Sequence, residues 1–205
     1  MSPEATAPTP IIESSPSWVV AEMPPGFQNR VAEIQRMMAD LEEMGRFGRL
    51  LYKVGPDLGE VVAQLCSAMK YETAVIPGDA RGVAVRLDPH RRLLLHPAAS
   101  TTTIQRKDPE VARLFHLLHE VADDTDRVVL VTNTEPDKPL IDRGEVLAPD
   151  ALAFLARMGT GHLASSTLFA IWKLWLGDPT LARAQIDRLY TAPPGTFDLP
   201  ASATR

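Results

Sequence analysis

Three short runs of β-branched and aliphatic residues, Glu72 to Ile76, Gly82 to Leu87 and Arg92 to His96, follow one another across spacers too short to hold a helix. The spacers contain Gly78-Asp79 and Asp88-Pro89, turn formers that supply a positive φ, a local side-chain hydrogen bond or a fixed φ. Consecutive hairpins are the arrangement this spacing favours. Asp108-Pro109 then opens a helical pattern to about Asp123, and Arg127 to Thr132 is a β-branched run that reads as a buried central strand. Ala148 to Met158 is helical again, and His162-Leu163-Ala164 forms a short last strand. Ser165-Ser166-Thr167, residue types that cap helices well, lead into a helix bearing Leu168, Phe169, Ile171, Trp172, Leu174 and Trp175, and a final helix runs from Pro179 to Tyr190. Upstream, Pro56-Asp57 opens a helix with Leu58, Val61, Val62, Leu65 and Met69 at helical spacing, ending near Lys70. Together with an N-terminal helix the predicted order is ααβββαβαβαα, an α/β fold with a mixed sheet of about five strands flanked by helices on both faces.

The chain has 205 residues, 45% of them hydrophobic, enough for one domain with a real core and appendages. Residues 1–26 hold six prolines and few periodic apolar residues and read as a disordered tail, in which Trp18 stands out, either folding back onto its own domain or serving as a docking element. Residues 27–52 read as an amphipathic helix with Val31, Ile34, Met38 and Leu41 spaced alternately by three and four and Met37 and Met44 beside them, a stripe suited to docking or dimerisation. Residues 53–192 form the expected domain and 193–205 a second disordered tail. The single cysteine, Cys66, lies in an apolar helical pattern and reads as a buried small hydrophobe. No basic segment precedes an apolar core at the N-terminus and no run reaches the roughly 18 apolar residues of a membrane span, so a cytoplasmic location is expected. A net charge of -5 argues against a protein whose main task is to clamp phosphate backbones.

The ordered set of segments resembles the PD-(D/E)XK restriction-endonuclease-like superfamily over roughly residues 46 to 190. Asp126 to Thr134, followed by Pro136, Pro139, Arg143-Gly144-Glu145 and Leu152-Ala153-Phe154-Leu155, is similar to the fourth strand, its Asn-containing exit and the next helix of bacterial members. Ser165-Ser166-Thr167-Leu168-Phe169 resembles the entry to their last core helix, and Leu50-Leu51-Tyr52 with the helix from Pro56 resembles their opening segment. In active members an acidic residue begins the second strand and the third carries Glu-x-Lys, because a hard divalent ion takes oxygen ligands and must polarise the phosphate and acidify the attacking water. By this resemblance the acidic position falls near Gly82-Val83, at Val83, and the Glu-x-Lys position on Leu94-Leu95-His96, at Leu94 and His96. Both carboxylates are expected to be missing. Leucine in place of a buried carboxylate also removes a desolvation penalty, so the third strand becomes ordinary core, and His96 reads as a hydrogen-bonded structural residue.

Several other residues invite a functional reading. Asp79, Asp88 and His90 lie near the expected site, but the aspartates adjoin Gly78 and Pro89 and read as turn chemistry. His116, His119 and Glu120 have a spacing that places two imidazoles on neighbouring turns of a helix, whereas the apolar face there, Val111, Leu114, Phe115, Leu118 and Val121, points the histidines toward water. Arg86, Arg91, Arg92, Arg106 and Lys107 form the main basic concentration, compatible with a nucleic-acid groove or with a charged meander edge that discourages strand pairing. Gly159-Thr160-Gly161 reads as a helix-to-strand turn, since no helix with a lysine follows it. Trp172 and Trp175 make their helix apolar over much of its circumference and read equally as core or as a protein interface. The resulting expectation is a pseudoenzyme: a catalytically inactive nuclease-like domain, without cofactor or metal, that serves as a protein interaction module, scaffold or adaptor and dimerises through its N-terminal helix. Nucleic-acid binding without hydrolysis is the first alternative, and an active nuclease with ligands migrated to Asp79, Asp88 or His96 the second.

Overall fold

A computed structural model of the protein describes residues 22–200, and the chain divides into two units after Gly45. In the first, helix α1 spans Phe27–Gly45 with none of its residues buried. The second begins with a 3-10 turn, Arg46–Leu51, whose Phe47 and Leu50 are fully buried in the core of that unit. The helix expected over residues 27–52, broken at Gly45 and Gly48, ends at Gly45, and the part after it is a 3-10 turn of the second unit. Tyr52 and Val54 remain exposed.

After helix α2 (Gly55–Ala68) come strands β1 (Glu72–Ile76), β2 (Asp79–Arg86) and β3 (Arg92–Ser100), helix α3 (Pro109–His116) with a π-helical turn at Leu117–Val121, strand β4 (Asp126–Thr134), a 3-10 turn at Leu140–Asp142, helix α4 (Pro149–Arg157), strand β5 (Gly161–Ala164), helices α5 (Ser165–Gly177) and α6 (Pro179–Thr191), and strand β6 (Gly195–Thr196). The six strands lie in one sheet in chain order, antiparallel from β1 to β3 and parallel from β3 to β6. The protein is therefore α/β with a mixed sheet. The sixth strand lies where the sequence suggests a tail: Phe197 donates its N–H to the His162 carbonyl and is buried, and the Arg127 guanidinium bonds the Gly159 and Ala192 carbonyls, holding that segment to the sheet.

The central strands have no polar face because both faces are covered. Val83, Val85, Leu93, Leu95, Val129, Val131 and Leu163 pack with α2, α5, α6 and the first 3-10 turn. Leu94, Ala98, Val128 and Leu130, the residues between them, pack with α3 and α4. Strand alternation thus assigns Leu94, His96 and Ala98 to the α3 side, and Val83 with Leu95 to the opposite side. Close packing of α2 on β2 needs Gly59, where a Cβ would stand 2.6 Å from the Arg81 carbonyl oxygen.

Helix starts follow local chemistry. Helices α2, α3 and α4 each have proline in the first turn, where its missing N–H costs no helical bond. Asp178 caps α6 by accepting from the Thr180 and Leu181 amides. Ser165 does not cap α5, contrary to expectation; Ala164 occupies that position, and the Ser165 hydroxyl instead donates to Asn133 Oδ1.

Candidate functional site

The buried polar centre of the domain lies on the α3 side of β3. His96 is fully buried, with Nδ1 2.5 Å from Asp79 Oδ2 and Nε2 2.8 Å from Glu110 Oε2. Glu110 also accepts from Arg81 at 3.2 Å and from Arg113 at 3.0 Å. Asp79, Arg81 and Glu110 each retain only 17–18% of their side-chain exposure. An ionised carboxylate only accepts hydrogen bonds, so a ring that bonds one at each nitrogen donates from both and carries a positive charge. Burial alone would raise the Glu110 carboxyl, but the His96 bond and the Arg81 guanidinium outweigh it and hold that carboxyl below the usual glutamate value.

Three local features assemble this cluster. The turn between β1 and β2 uses Pro77-Gly78, with Gly78 at φ 80°, which frees Asp79 to begin β2. Asp79 then folds back over the glycine three residues on: a Cβ on Gly82 would stand 2.7 Å from Asp79 Oδ2. Proline at the start of α3 places Glu110 in its first turn, facing the sheet. On β3 the ladder with β2 ends at Leu95, so His96 and Pro97 lie where that side of the strand opens toward the cluster.

This geometry changes the sequence reading of the site. Val83 is not the position that faces His96; it pairs with Leu95 on the other side of the sheet. The acidic residue that opens the second strand is Asp79, read from sequence as turn chemistry because it follows Gly78. It does accept the Arg81 amide in that turn, but its second oxygen reaches His96. Glu110 was missed entirely, since only the packing of α3 on the sheet brings it to β3; the visible signal was an acid at the start of the helix that follows the third strand. Leu94 is buried among apolar neighbours. Two carboxylates therefore meet here after all, yet they meet across an imidazole that separates them. Among the described residues no group of three His, Cys, Asp or Glu side chains converges as metal ligands do.

Asp88, in contrast, closes the β2–β3 hairpin by accepting the His90 and Arg91 amides and the Arg91 guanidinium, which together hold its carboxyl below the usual aspartate value. Both His116 and His119 are exposed; His116 pairs with Glu120 at 3.0 Å and His119 packs on Phe115. Phe115 is itself exposed, whereas Leu117, the first residue of the π-helical turn, is buried.

Three of the five basic residues are paired with carboxylates. Arg86 pairs with Glu72 across the β1–β2 ladder, Arg91 with Asp88 and Asp187, and Arg92 with Asp123 and the buried Asp126. Arg106 lies 4.6 Å over the Phe154 ring, and Lys107 lines a shallow depression with Gln105 and Asp150. Of the two tryptophans read as an interface, Trp172 is core, packed edge-on against Phe47 with ring centroids 4.7 Å apart, while Trp175 is half-buried under Arg183. Trp18 lies outside the described residues. Val31 is half-buried on α1, and Ile34, Met38 and Leu41 are exposed there.

A second polar cluster ties the carboxyl end of β4. Asn133 donates to the Lys53 carbonyl and accepts from Arg143 at 2.8 Å, and Arg143 also bonds the Leu51 carbonyl. Every member has a protein partner, which makes this a staple between the first 3-10 turn and the β4 exit. On β5, His162 is buried between Thr132 and Thr196 hydroxyls, and burial lowers its pKa to about 4, so it is neutral. No family model, curated protein or solved structure matches the chain.

Proposed function

We propose that the chain is a non-hydrolytic, endonuclease-like domain that works as a protein interaction module, with α1 as its contact element. The observation that carries this reading is the state of the polar centre. In a metal-dependent phosphodiesterase two carboxylates converge on a divalent ion and a nearby cation steadies the phosphate. Here Asp79 and Glu110 are held apart by the His96 ring, and both are already neutralised by His96, Arg81 and Arg113. An incoming ion would have to displace a buried cation and draw the carboxylates together. The imidazolium fills the role of the missing charge, and the cluster stabilises the fold.

The contact role is supported by α1, whose apolar stripe, with Leu41 70% exposed, has no buried member. Such a surface on a charged helix suits a protein partner. No helix of the described residues is long and apolar enough to cross a membrane; a cytoplasmic scaffold or adaptor in a bacterial cell fits this reading. Nucleic-acid binding is less well supported, because Arg86, Arg91 and Arg92 are each paired with carboxylates of the same surface. A hydrolase with migrated ligands has one observation in its favour, the meeting of Asp79 and Glu110 at His96. The test is incubation of the purified full chain with Mg²⁺ or Mn²⁺ and plasmid or single-stranded DNA. No cleavage above buffer is expected. EDTA-sensitive cleavage that survives repurification and disappears in Asp79→Ala or Glu110→Ala would overturn the proposal.

A further inference from the structure

Helix α1 carries its own complement. Phe27, Val31, Ile34, Met38, Leu41 and Gly45 succeed one another by four and three residues along the whole element, the spacing of a coiled-coil seam. We propose that the chain self-associates through α1, two copies packing antiparallel with their two-fold axis at the level of Arg36. The proposal rests on the interaction reading above and narrows its partner to a second copy.

Antiparallel packing at that register sets Phe27 against Gly45, Val31 against Leu41 and Ile34 against Met38, so every seam position meets another and the largest side chain meets the residue with none. Met37, 48% exposed beside the seam, meets its own copy, and Met44 lies along the Arg30 stem, widening the apolar contact. A parallel pair would instead stack Phe27 on Phe27 and leave Gly45 facing Gly45.

Charge selects the same orientation. Arg36 lies at the level of the axis; before it the helix carries Arg30 and Glu33, which pair with each other at 3.0 Å, and after it Asp40, Glu42 and Glu43 with no base. The first turn has no acid and the last turn no base, which leaves the helix dipole uncompensated from within. An antiparallel neighbour brings its acidic end beside the positive start of α1, and the reverse at the other end. A parallel neighbour places the two acidic ends together.

The experiment uses the full chain and sedimentation velocity up to about 100 µM, because a helix pair of fewer than three heptads associates weakly. Two cysteine variants then report orientation under mild oxidation. The native Cys66 is silent, buried with its thiol pushed up to about 12. In the antiparallel pair Met37→Cys lies beside its copy, whereas Leu41→Cys is displaced from its copy by ten helical steps, about 15 Å. A concentration-dependent dimer with disulfide capture in Met37→Cys and little in Leu41→Cys is expected, and the double change Ile34→Glu with Met38→Glu should return a monomer with unchanged thermal stability, since neither side chain is buried. A monomer at every concentration, or capture in Leu41→Cys equal to or faster than in Met37→Cys, overturns the proposal. Either result leaves the hydrolysis assay untouched, so failure here and failure of the functional reading are separately visible.

Discussion

Replacing His96 with leucine removes the charge at the domain's polar centre and leaves the carboxylates in place. Its two contacts, at 2.5 and 2.8 Å, are charge-assisted bonds of about 1.5–3 kcal/mol each, and stranding a buried partner costs about 3–5 kcal/mol. Three features reduce that figure. Asp79 and Glu110 keep 17–18% of their exposure, Glu110 retains Arg81 and Arg113, and leucine packs with Leu94 and Ala98. The expected net loss is about 2–3 kcal/mol, which moves a urea midpoint down by roughly 1 M for a domain of this size. Fluorescence of Trp172, buried against Phe47, follows the transition. The companion variant combines His96→Leu with Asp79→Asn and Glu110→Gln, which removes the charges His96 would have balanced, and should recover at least half the loss. A His96→Leu protein as stable as the parent, or a triple variant no more stable than the single, would refute the idea that His96 is an ion-paired clamp.

Other perturbations test neighbouring parts of the account. Gly82→Ala drives a methyl into Asp79 Oδ2 and Ile76 Cδ1 and should cost about 1–2 kcal/mol, with a clearly smaller effect when His96 is already leucine, because both changes act on one carboxylate. His162, neutral in the fold with a pKa of about 4 against the ordinary 6.5, binds a proton less readily than it would unfolded; its contribution is complete above pH 6.5 and falls by about 3 kcal/mol as pH drops to 4. His162→Gln should flatten that part of a stability-against-pH profile, and an unchanged slope would count against a buried neutral ring. Glu110 adds acid sensitivity of the same sign at lower pH, since its depressed carboxyl stabilises the fold above the ordinary glutamate range and releases that stability on protonation. In fluorescence anisotropy at low salt, Arg91→Ala with Arg92→Ala should leave DNA affinity no different from the parent; a salt-sensitive loss would reveal a phosphate-binding surface.

Most of the sheet was legible because its signals are local. The meander from β1 to β3 is written in β-branched runs and turn residues, and β4 in an unbroken apolar run that only a doubly covered strand requires. Misreadings occurred where one residue has two roles or where a contact is remote. Asp79 serves both turn and site, and the turn chemistry is the part visible from sequence. Glu110 is fourteen residues beyond His96, and no periodicity links a helix start to a strand it will later cover. The helix after Pro109 buries Leu114 and Leu117 and leaves Phe115 exposed, although Phe115 was counted on its apolar face, because side-chain type alone does not fix the centre of a buried stripe. Strand β6, two residues long, is too short to leave a pattern.

The central claim is that a buried imidazolium occupies the place between the two carboxylates. It is tested most directly by nitrogen-detected magnetic resonance of the His96 ring in the full chain, before and after addition of millimolar Mg²⁺. Protons on both nitrogens, with ring signals unmoved by the metal, are the expected result. A ring protonated on one nitrogen only, or one whose signals shift as Mg²⁺ draws Asp79 and Glu110 together, would contradict it.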